Sequence, residues 1–422
     1  MGESSSAERS STGDAAQLRV GDLHATTVGA MVHGGHALAH VGNHTVFVRY
    51  ACPGEQVTIL ITSISRKIIR ADAVEIHVSS PDRVTPSCEL ARPGGCGGCD
   101  WQYASIEAQR RWKSEVIKES FDRHGNLPGM NVVVEAVAGD VDGLAWRHRA
   151  HMSLVDRGKD AHPAPAFALH RSSDRVTFDV CPIVTPGINV AAHQCAPGGG
   201  SAWLQEGSDG YVAVAETQHR SSGKVRHVVR GREWRIAPDS FWQAHIGMAD
   251  ALVSAVLSSV EECVGDTRNG VWWDLYAGSG LFSAFLAEVV GESGRVSAVE
   301  ESATSIREAR RALHDLPQVR LHNSSVEDWV TSVHGEDIGG HVPDGVLLDP
   351  PRTGAGELVI RAIASAGPAT IIYVACDPVA LARDSAHLAA EGYLLRAVRG
   401  FDGFPMTHHV ECVATFTKTE IS

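Results

Sequence analysis

Hydrophobic and polar positions divide the chain into three stretches with different periods. From Leu18 to about Ser79, short runs alternate apolar and polar residues between glycines. The alternation is clearest in Thr45–Tyr50 and Gln56–Thr62, with Pro53-Gly54-Glu55 as a turn between them. About five strands at this spacing predict a small OB-like barrel over residues 17–79. Residues 80–228 mix an amphipathic helix, Ile106–Arg123, with β-like runs such as HRAHMSLV, AFALHR and RVTFDV around the polar insertion RGKDAHPAP. They predict an α+β middle domain. From residue 229 onward strands and helices alternate, as expected of an α/β domain with a parallel sheet. A helix is predicted over Phe241–Val260, followed by the strand–glycine turn–helix pattern VWWDLYAGSGLFSAFLA.

Within that last stretch the polar residues fall where such sheets bind ligands, at the carboxyl ends of strands. Asp274 ends one strand, and Gly278 and Gly280 permit a tight turn with close backbone approach to a ligand. Glu300 ends RVSAVE about twenty residues later, where an acidic side chain typically holds ribose hydroxyls. Asp349-Pro350-Pro351-Arg352 ends VPDGVLL. The stretch IIYVACDPVALARD reads as a buried strand turning directly into a helix, with Asp377 as N-cap, Pro378 at the first helical position and Gly392 beyond the far end. Cys376 therefore stands next to a helix N-terminus, whose partial positive charge favours a thiolate. A lone cysteine at a strand end is more often a small apolar filler; its neighbours are what argue otherwise here.

Composition narrows the class. Of 422 residues, 43% are hydrophobic and 21% charged, as in globular domains, and no apolar run is long enough to span a membrane. The start, MGESSSAERSSTGDAAQ, has no apolar core, so residues 1–16 are expected to be a disordered tail and the protein cytoplasmic. Gly2 without a second membrane anchor does not make a lipidation site. The net charge of −13 does not suggest a polyanion partner, yet Arg66, Lys67 and Arg70 cluster in the first domain, and Arg110, Arg111, Lys113 and Lys118 in the predicted helix. The first reads equally well as a solvated edge that protects a strand; the second reads as an exposed basic face, close enough to the cysteine loop to help hold a polyanion.

In a reducing compartment the nine cysteines suit metal binding or catalysis better than disulfides. Cys88, Cys96 and Cys99 have the spacing C-x7-C-x2-C in a glycine-rich loop, and Cys181 precedes a proline. Four thiolates suit a tetrahedral zinc or an iron–sulfur cluster, and the donor set does not choose between them.

The motifs DLYAGSG, AVE, LLDPPR, YVACDPVALARD and FPMTHHVE, in that order, resemble the class I S-adenosylmethionine-dependent RNA (uracil-5)-methyltransferases. The N-terminal segment resembles the TRAM domain, an RNA-binding barrel, and the combination with a cysteine cluster resembles the ribosomal-RNA branch. The resemblance implies a Rossmann-like methyltransferase domain over 229–422. Gln243, Tyr276, Glu300 and Asp349 match the family's cofactor contacts, and Ser325 another cofactor position. Cys376 matches the nucleophile and Glu411 the general base. Cys88, Cys96, Cys99 and Cys181 match the ligands of a [4Fe-4S] cluster, although the first interval is longer than the family's usual five residues. Asp377 stands where the family often has asparagine, and Leu281 where many members have a polar cofactor contact. The implied partner is ribosomal or transfer RNA, with no obligatory protein partner and a monomeric state.

Three other readings fit less well. Amino methyltransferases also use a D-P-P motif but would leave Cys376 and Glu411 idle. Cytosine-5 enzymes need a second cysteine after the proline, where this chain has Pro351-Arg352. A binding protein with a degenerate cofactor fold would show damage at Gly278, Glu300, Asp349 or Cys376, and none is damaged. His408 and His409 read as loop residues or as modifiers of Glu411.

Overall fold

The computed structural model describes residues 18–66, 68–157, 162–168, 172–195, 200–216, 223–264, 267–332 and 342–419. The predicted tail, Lys67 and residues 158–161 of the RGKDAHPAP insertion lie outside these. The chain forms two compact units, residues 1–83 and 84–422.

The first unit is a six-stranded sheet: β1 (Leu23–Thr27), β2 (Met31–Val32), β3 (His36–Val41), β4 (His44–Arg49), β5 (Gln56–Ser65) and β6 (Ile68–Val78), in the order β1-β5-β6-β4-β3-β2. Alternation does what the sequence reading expects: Val46, Val48, Val57, Ile59 and Ile61 face the core at 1% exposure or less. The Pro53–Glu55 turn forms too, but β4 and β5 do not pair across it. β4 instead runs parallel to β6, and β5 lies between β1 and β6. The buried Glu55 explains the divergence: it accepts from Cys52 N and Ser80 N and pairs with Arg83 at 2.5 Å, tying the turn to the end of the unit. Arg66 is exposed at the β5–β6 turn and Arg70 half-buried.

The second unit holds the rest. Helix α1 (Ile106–Ser120) and β7 (Val134–Ala136) precede an antiparallel five-stranded sheet formed by β8 (Arg149–Val155), β9 (Ala164–Ala168), β10 (Arg175–Thr177), β11 (Gly200–Glu206) and β12 (Val212–Glu216). A short helix, α2 (Pro186–His193), lies before β11, and β13 (Val225–Val229) and β14 (Arg232–Ile236) make a hairpin. Then follow α3 (Met248–Val264), β15 (Val271–Leu275), α4 (Leu281–Val290), β16 (Arg295–Glu300), α5 (Ala303–Ala312), β17 (Val319–Asn323), α6 (Val326–Ser332), β18 (Gly345–Leu348), α7 (Gly356–Ala366), β19 (Thr370–Ala375), α8 (Pro378–Ala390), β20 (Tyr393–Asp402) and β21 (Glu411–Lys418).

These strands make one eight-stranded sheet, β17-β16-β15-β18-β19-β21-β20-β7, parallel except for β21. Near-continuous apolar strands are buried on both faces, as parallel sheets require. Trp272, Leu347, Ile372 and Val413 face the layer containing α3 and α4. Trp273, Val346, Tyr373 and Ala414 face the layer containing α7 and α8. Strand order reverses between β15 and β18, which marks the ligand-binding crevice at the carboxyl ends.

Two expectations need correction. Residues 80–228 are not separate from the α/β portion: β7 extends its sheet beside β20, and α1 contributes Ile117 to the same core. The helix expected from Phe241 starts only at Met248. Residues 244–246 are tied in extended form, with His148 N donating to Ala244 O and Ile246 N to Trp146 O, both at 3.0 Å. Periodicity could not reveal these pairings with a distant segment.

Candidate active site

The carboxyl edge of the large sheet gathers the residues singled out by the sequence. β19 and β21 pair up to Ala375 opposite Cys412. Continuing the register by one residue sets Cys376 against Glu411. Side chains alternate along strands, so both point to the face opposite Cys412. Cys376 is held locally: Asp377 caps α8, its Oδ1 accepting from Val379 N at 3.0 Å and Ala380 N at 2.9 Å, and Pro378 opens the helix. Asp349 follows β18, its N–H donating to Leu275 O at 3.2 Å.

Two strands away, the turn after β15 is shaped for close approach. Gly278 and Gly280 take φ of +55° and +80°, which L-residues with a Cβ seldom adopt, and Tyr276 is held in the same region at +63°. Glu300 organises this turn: Oε2 accepts from Gly278 N at 2.9 Å and Oε1 from Ser302 N at 2.6 Å. Gln243 lies buried in the loop before α3, its carbonyl accepting a bond from His148 Nε2 at 2.8 Å. Ser325 caps α6, accepting from Asp328 N at 3.1 Å.

The charges at this edge compete. Burial pushes the carboxyl of Asp349 up to about 7, helped by the neighbouring Asp274. Burial raises Asp274 to about 7 as well, against a hydrogen bond from Ser283 Oγ. Glu411 is raised well above its ordinary value by burial and then by Asp349, while the Arg352 guanidinium lowers it. The expected lowering of the Cys376 thiol does not occur. Burial, Glu411 and Asp349 push it up to about 12, and only Arg352 among the named influences opposes them. A helix N-terminus supplies about half a charge, which a buried site lined by carboxyls outweighs.

A half-buried thiol beside a buried carboxyl, next to a glycine turn and an acidic strand end, can support covalent group transfer from a nucleoside-containing donor. The sequence model of a family described as tRNA (Uracil-5-)-methyltransferase matches residues 224–419. An RNA methyltransferase of Streptomyces avermitilis, itself uncharacterized, is 35% identical over 94% of this chain and 98% of its own length. The 23S rRNA (uracil(1939)-C(5))-methyltransferase RlmD of Chromohalobacter salexigens is 30% identical, covering 92% of this chain and 88% of the relative. The chain belongs to the RNA (uracil-5)-methyltransferase family. The crystal structure of Pyrococcus abyssi tRNA (uracil-54, C5)-methyltransferase with S-adenosyl-L-homocysteine superposes with a TM-score of 0.67, covering 93% of this chain and 99% of that one. At 20% identity it supports the shared fold.

In this methyltransferase the three thiols of the cysteine loop and that of Cys181 share one region. Cys96 senses Cys88, and Cys99 senses both Cys96 and Cys181. The half-buried Arg147 guanidinium faces Cys181, Cys99 and Cys96, a cation placed where thiolates would be stabilised. The donor type suits a metal. Among the described residues, however, no group of three or more His, Cys, Asp or Glu side chains is drawn together at metal-holding spacing. Among the described residues, too, no helix is long and apolar enough to cross a membrane.

Three features escaped the sequence reading. Arg352 was visible in its motif but not its charge on Cys376 and Glu411. Asp384 lies in the same motif as Cys376, yet only the structure shows its Oδ2 accepting from Ala355 N at 2.8 Å and Tyr373 Oη at 2.7 Å, which anchors the loop after Asp349. The basic face assigned to α1 is only partly solvated. Arg111 and Lys118 are exposed, whereas Lys113 is fully buried and Arg110 half-buried, both paired with Asp402.

Proposed function

We propose that the chain transfers a methyl group from S-adenosylmethionine to C5 of a uridine in RNA, with Cys376 as nucleophile and Glu411 as general base. The observation that supports this reading is the register of β19 and β21, whose last pair, Ala375 opposite Cys412, adjoins Cys376 and Glu411, with Asp349 near enough to raise both groups. S-adenosylmethionine, when bound, supplies an electrophilic methyl on a sulfonium. Gln243, Tyr276, Gly278, Gly280, Glu300, Ser325 and Asp349 form the candidate set that holds it, with the Gly278 turn fixed by Glu300.

The C5 carbon of uracil is a weak nucleophile by itself. Attack of the Cys376 thiolate at C6 forms the S–C6 bond and moves the C5=C6 electrons onto an enolate-like C5, which then takes the methyl. The C5 proton passes to the Glu411 carboxylate; its C–H electrons restore the C5=C6 bond and expel the thiolate. The base must leave its stack to reach a site lined by buried residues. Arg352 favours the ionised forms of both catalytic groups.

We assign the substrate to ribosomal RNA, because the 23S rRNA enzyme from Chromohalobacter salexigens aligns over nearly its whole length. The first unit is read as an OB-like TRAM domain that binds RNA, through Arg66, Lys67 and Arg70 among others. Cys88, Cys96, Cys99 and Cys181 are read as the ligands of a [4Fe-4S] cluster that ties the loop near α1 to the segment before α2. Iron and sulfide in anaerobically purified protein test that assignment, and a single zinc would replace it. The chain is read as a cytoplasmic monomer.

The catalytic assignment is tested with ribosomal RNA transcribed in vitro. Cys376→Ala should give no turnover and no covalent RNA adduct. Glu411→Gln should transfer the methyl and then stall as a methylated protein–RNA adduct stable on a denaturing gel, with turnover lower by about 10²–10⁴. An adduct with Cys376→Ala, or full turnover by Glu411→Gln, would overturn the reading.

A further inference from the structure

We propose that Lys113, on α1, is a positioning residue that sets the side chain of Glu411; this rests on reading Glu411 as the base. Lysine is almost never fully buried, yet Lys113 is at 0% exposure. Its ammonium donates to Asp402 Oδ1 at 2.5 Å and to Phe404 O at 3.0 Å. The two acceptors stand on either side of Gly403. That glycine lies directly against the base: a Cβ built on it would meet Glu411 Cγ at 3.5 Å and Met248 Sδ at 2.7 Å. Phe401, just before Asp402, is the register partner of Glu411 in β20–β21. One lysine thus grips both flanks of the residue that walls the base.

The same face of α1 holds the rest of the loop. Arg110 Nε donates to the other oxygen of Asp402 at 3.1 Å. Gln109 Oε1 accepts from Met406 N at 2.8 Å, and its Nε2 donates to Trp101 O at 3.1 Å and Ala104 O at 2.9 Å. Asp100 N and Trp101 N both donate to Met406 O at 3.0 Å, and Asp100 Oδ2 lies 2.6 Å from His408 Nδ1. Residues 402–408 are therefore fixed by groups some 290–310 positions earlier, before β21 begins at Glu411.

Stability alone does not account for this arrangement. A buried ion pair is often no better than well-packed apolar residues, because desolvation consumes most of the attraction. What the pair provides is directed bonding to two points 403 ± 1, which an apolar contact cannot reproduce. A base must sit within hydrogen-bond reach of the proton it removes, so fixing its wall fixes its rate.

The test uses the full chain and ribosomal RNA transcribed in vitro. Lys113→Met combined with Asp402→Asn removes the pair without leaving a bare buried charge. Turnover should fall by roughly 10–100-fold, the cost of a misplaced rather than missing group. The KM for S-adenosylmethionine should stay unchanged, and the methylated covalent adduct should accumulate. A purely structural lysine would move the melting temperature and leave adduct lifetime alone. Lys113→Gln, which leaves Asp402 paired with Arg110, should show the same signature more weakly. Wild-type turnover without adduct in either variant overturns the proposal, as does unfolding of both. Glu411→Gln run alongside separates the two levels: if it builds no adduct, the base assignment itself fails. If it does and the Lys113 variants do not, only the positioning role fails.

Discussion

Cys376 and Glu411 arrive at the same edge of one sheet by different routes. The turn around Cys376 is assembled from its own neighbours: β19 ends, Asp377 caps two N–H groups within three residues, and Pro378 starts α8. The loop before Glu411 is assembled by others, with Lys113, Arg110, Gln109 and Asp100 reaching across some 290–310 positions. A nucleophile needs one defined backbone turn, and a short segment can encode that. A base must be aimed at a proton it does not touch until substrate arrives. On the proposed reading the aiming falls to α1, a helix outside the segment matched by the family's sequence model.

The locally built half can be probed at the cofactor turn, where the largest change is expected. Glu300 accepts two backbone N–H groups, and charged hydrogen bonds contribute about 1.5–3 kcal/mol each. Glu300→Ala should weaken S-adenosylmethionine binding by at least about tenfold in calorimetric titration. Unchanged affinity would remove Glu300 from the site and weaken the case that this edge is locally encoded.

Asp349 lies between the two halves, and pH tests its part. Its carboxyl is raised from the ordinary range to about 7. Such a group contributes stability that is fully present below about 4 and lost as pH rises toward and through about 7, where the folded protein must ionise it. Without cofactor the protein should therefore lose melting temperature between about pH 4 and 7 by way of this group. The rise in melting temperature on adding S-adenosylmethionine should be larger at the upper end, because a sulfonium compensates the carboxylate. Asp349→Asn should flatten both trends; a slope identical to wild type would exclude Asp349 as the titrating group.

The smallest effect is expected at Asp377. Removing an N-cap costs about 1 kcal/mol, so Asp377→Ala should lower chemical-denaturation stability by roughly that amount. Asp377→Asn should keep the cap while removing a negative charge that raises the Cys376 thiol. Faster alkylation of Cys376 in Asp377→Asn than in wild type would support that charge effect. Equal rates would show that burial and the other carboxyls dominate.

Periodicity and local chemistry by themselves determined much of this protein. The βα turn at Gly278, the strand end at Glu300 and the Cys376 turn are short-range features, and each formed where the residue pattern put it. The four cysteines read as one set in the sequence, but among the described residues they are not drawn together at metal-holding spacing. Only the tertiary structure decided what depends on pairing between distant segments. It moved the start of α3 from Phe241 to Met248 by tying residues 244–246 to the segment before β8. It placed β7 in the large sheet, which no pattern within three residues could announce. It raised the Cys376 thiol where a helix N-terminus alone would have lowered it, because burial and carboxyls from β18 and β21 act together only once the sheet is formed. And it turned a lysine that reads as part of a solvated face into the buried partner of Asp402. A helix period shows which residues share a face; whether that face meets water or an unpaired carboxylate is settled only when another part of the chain packs against it.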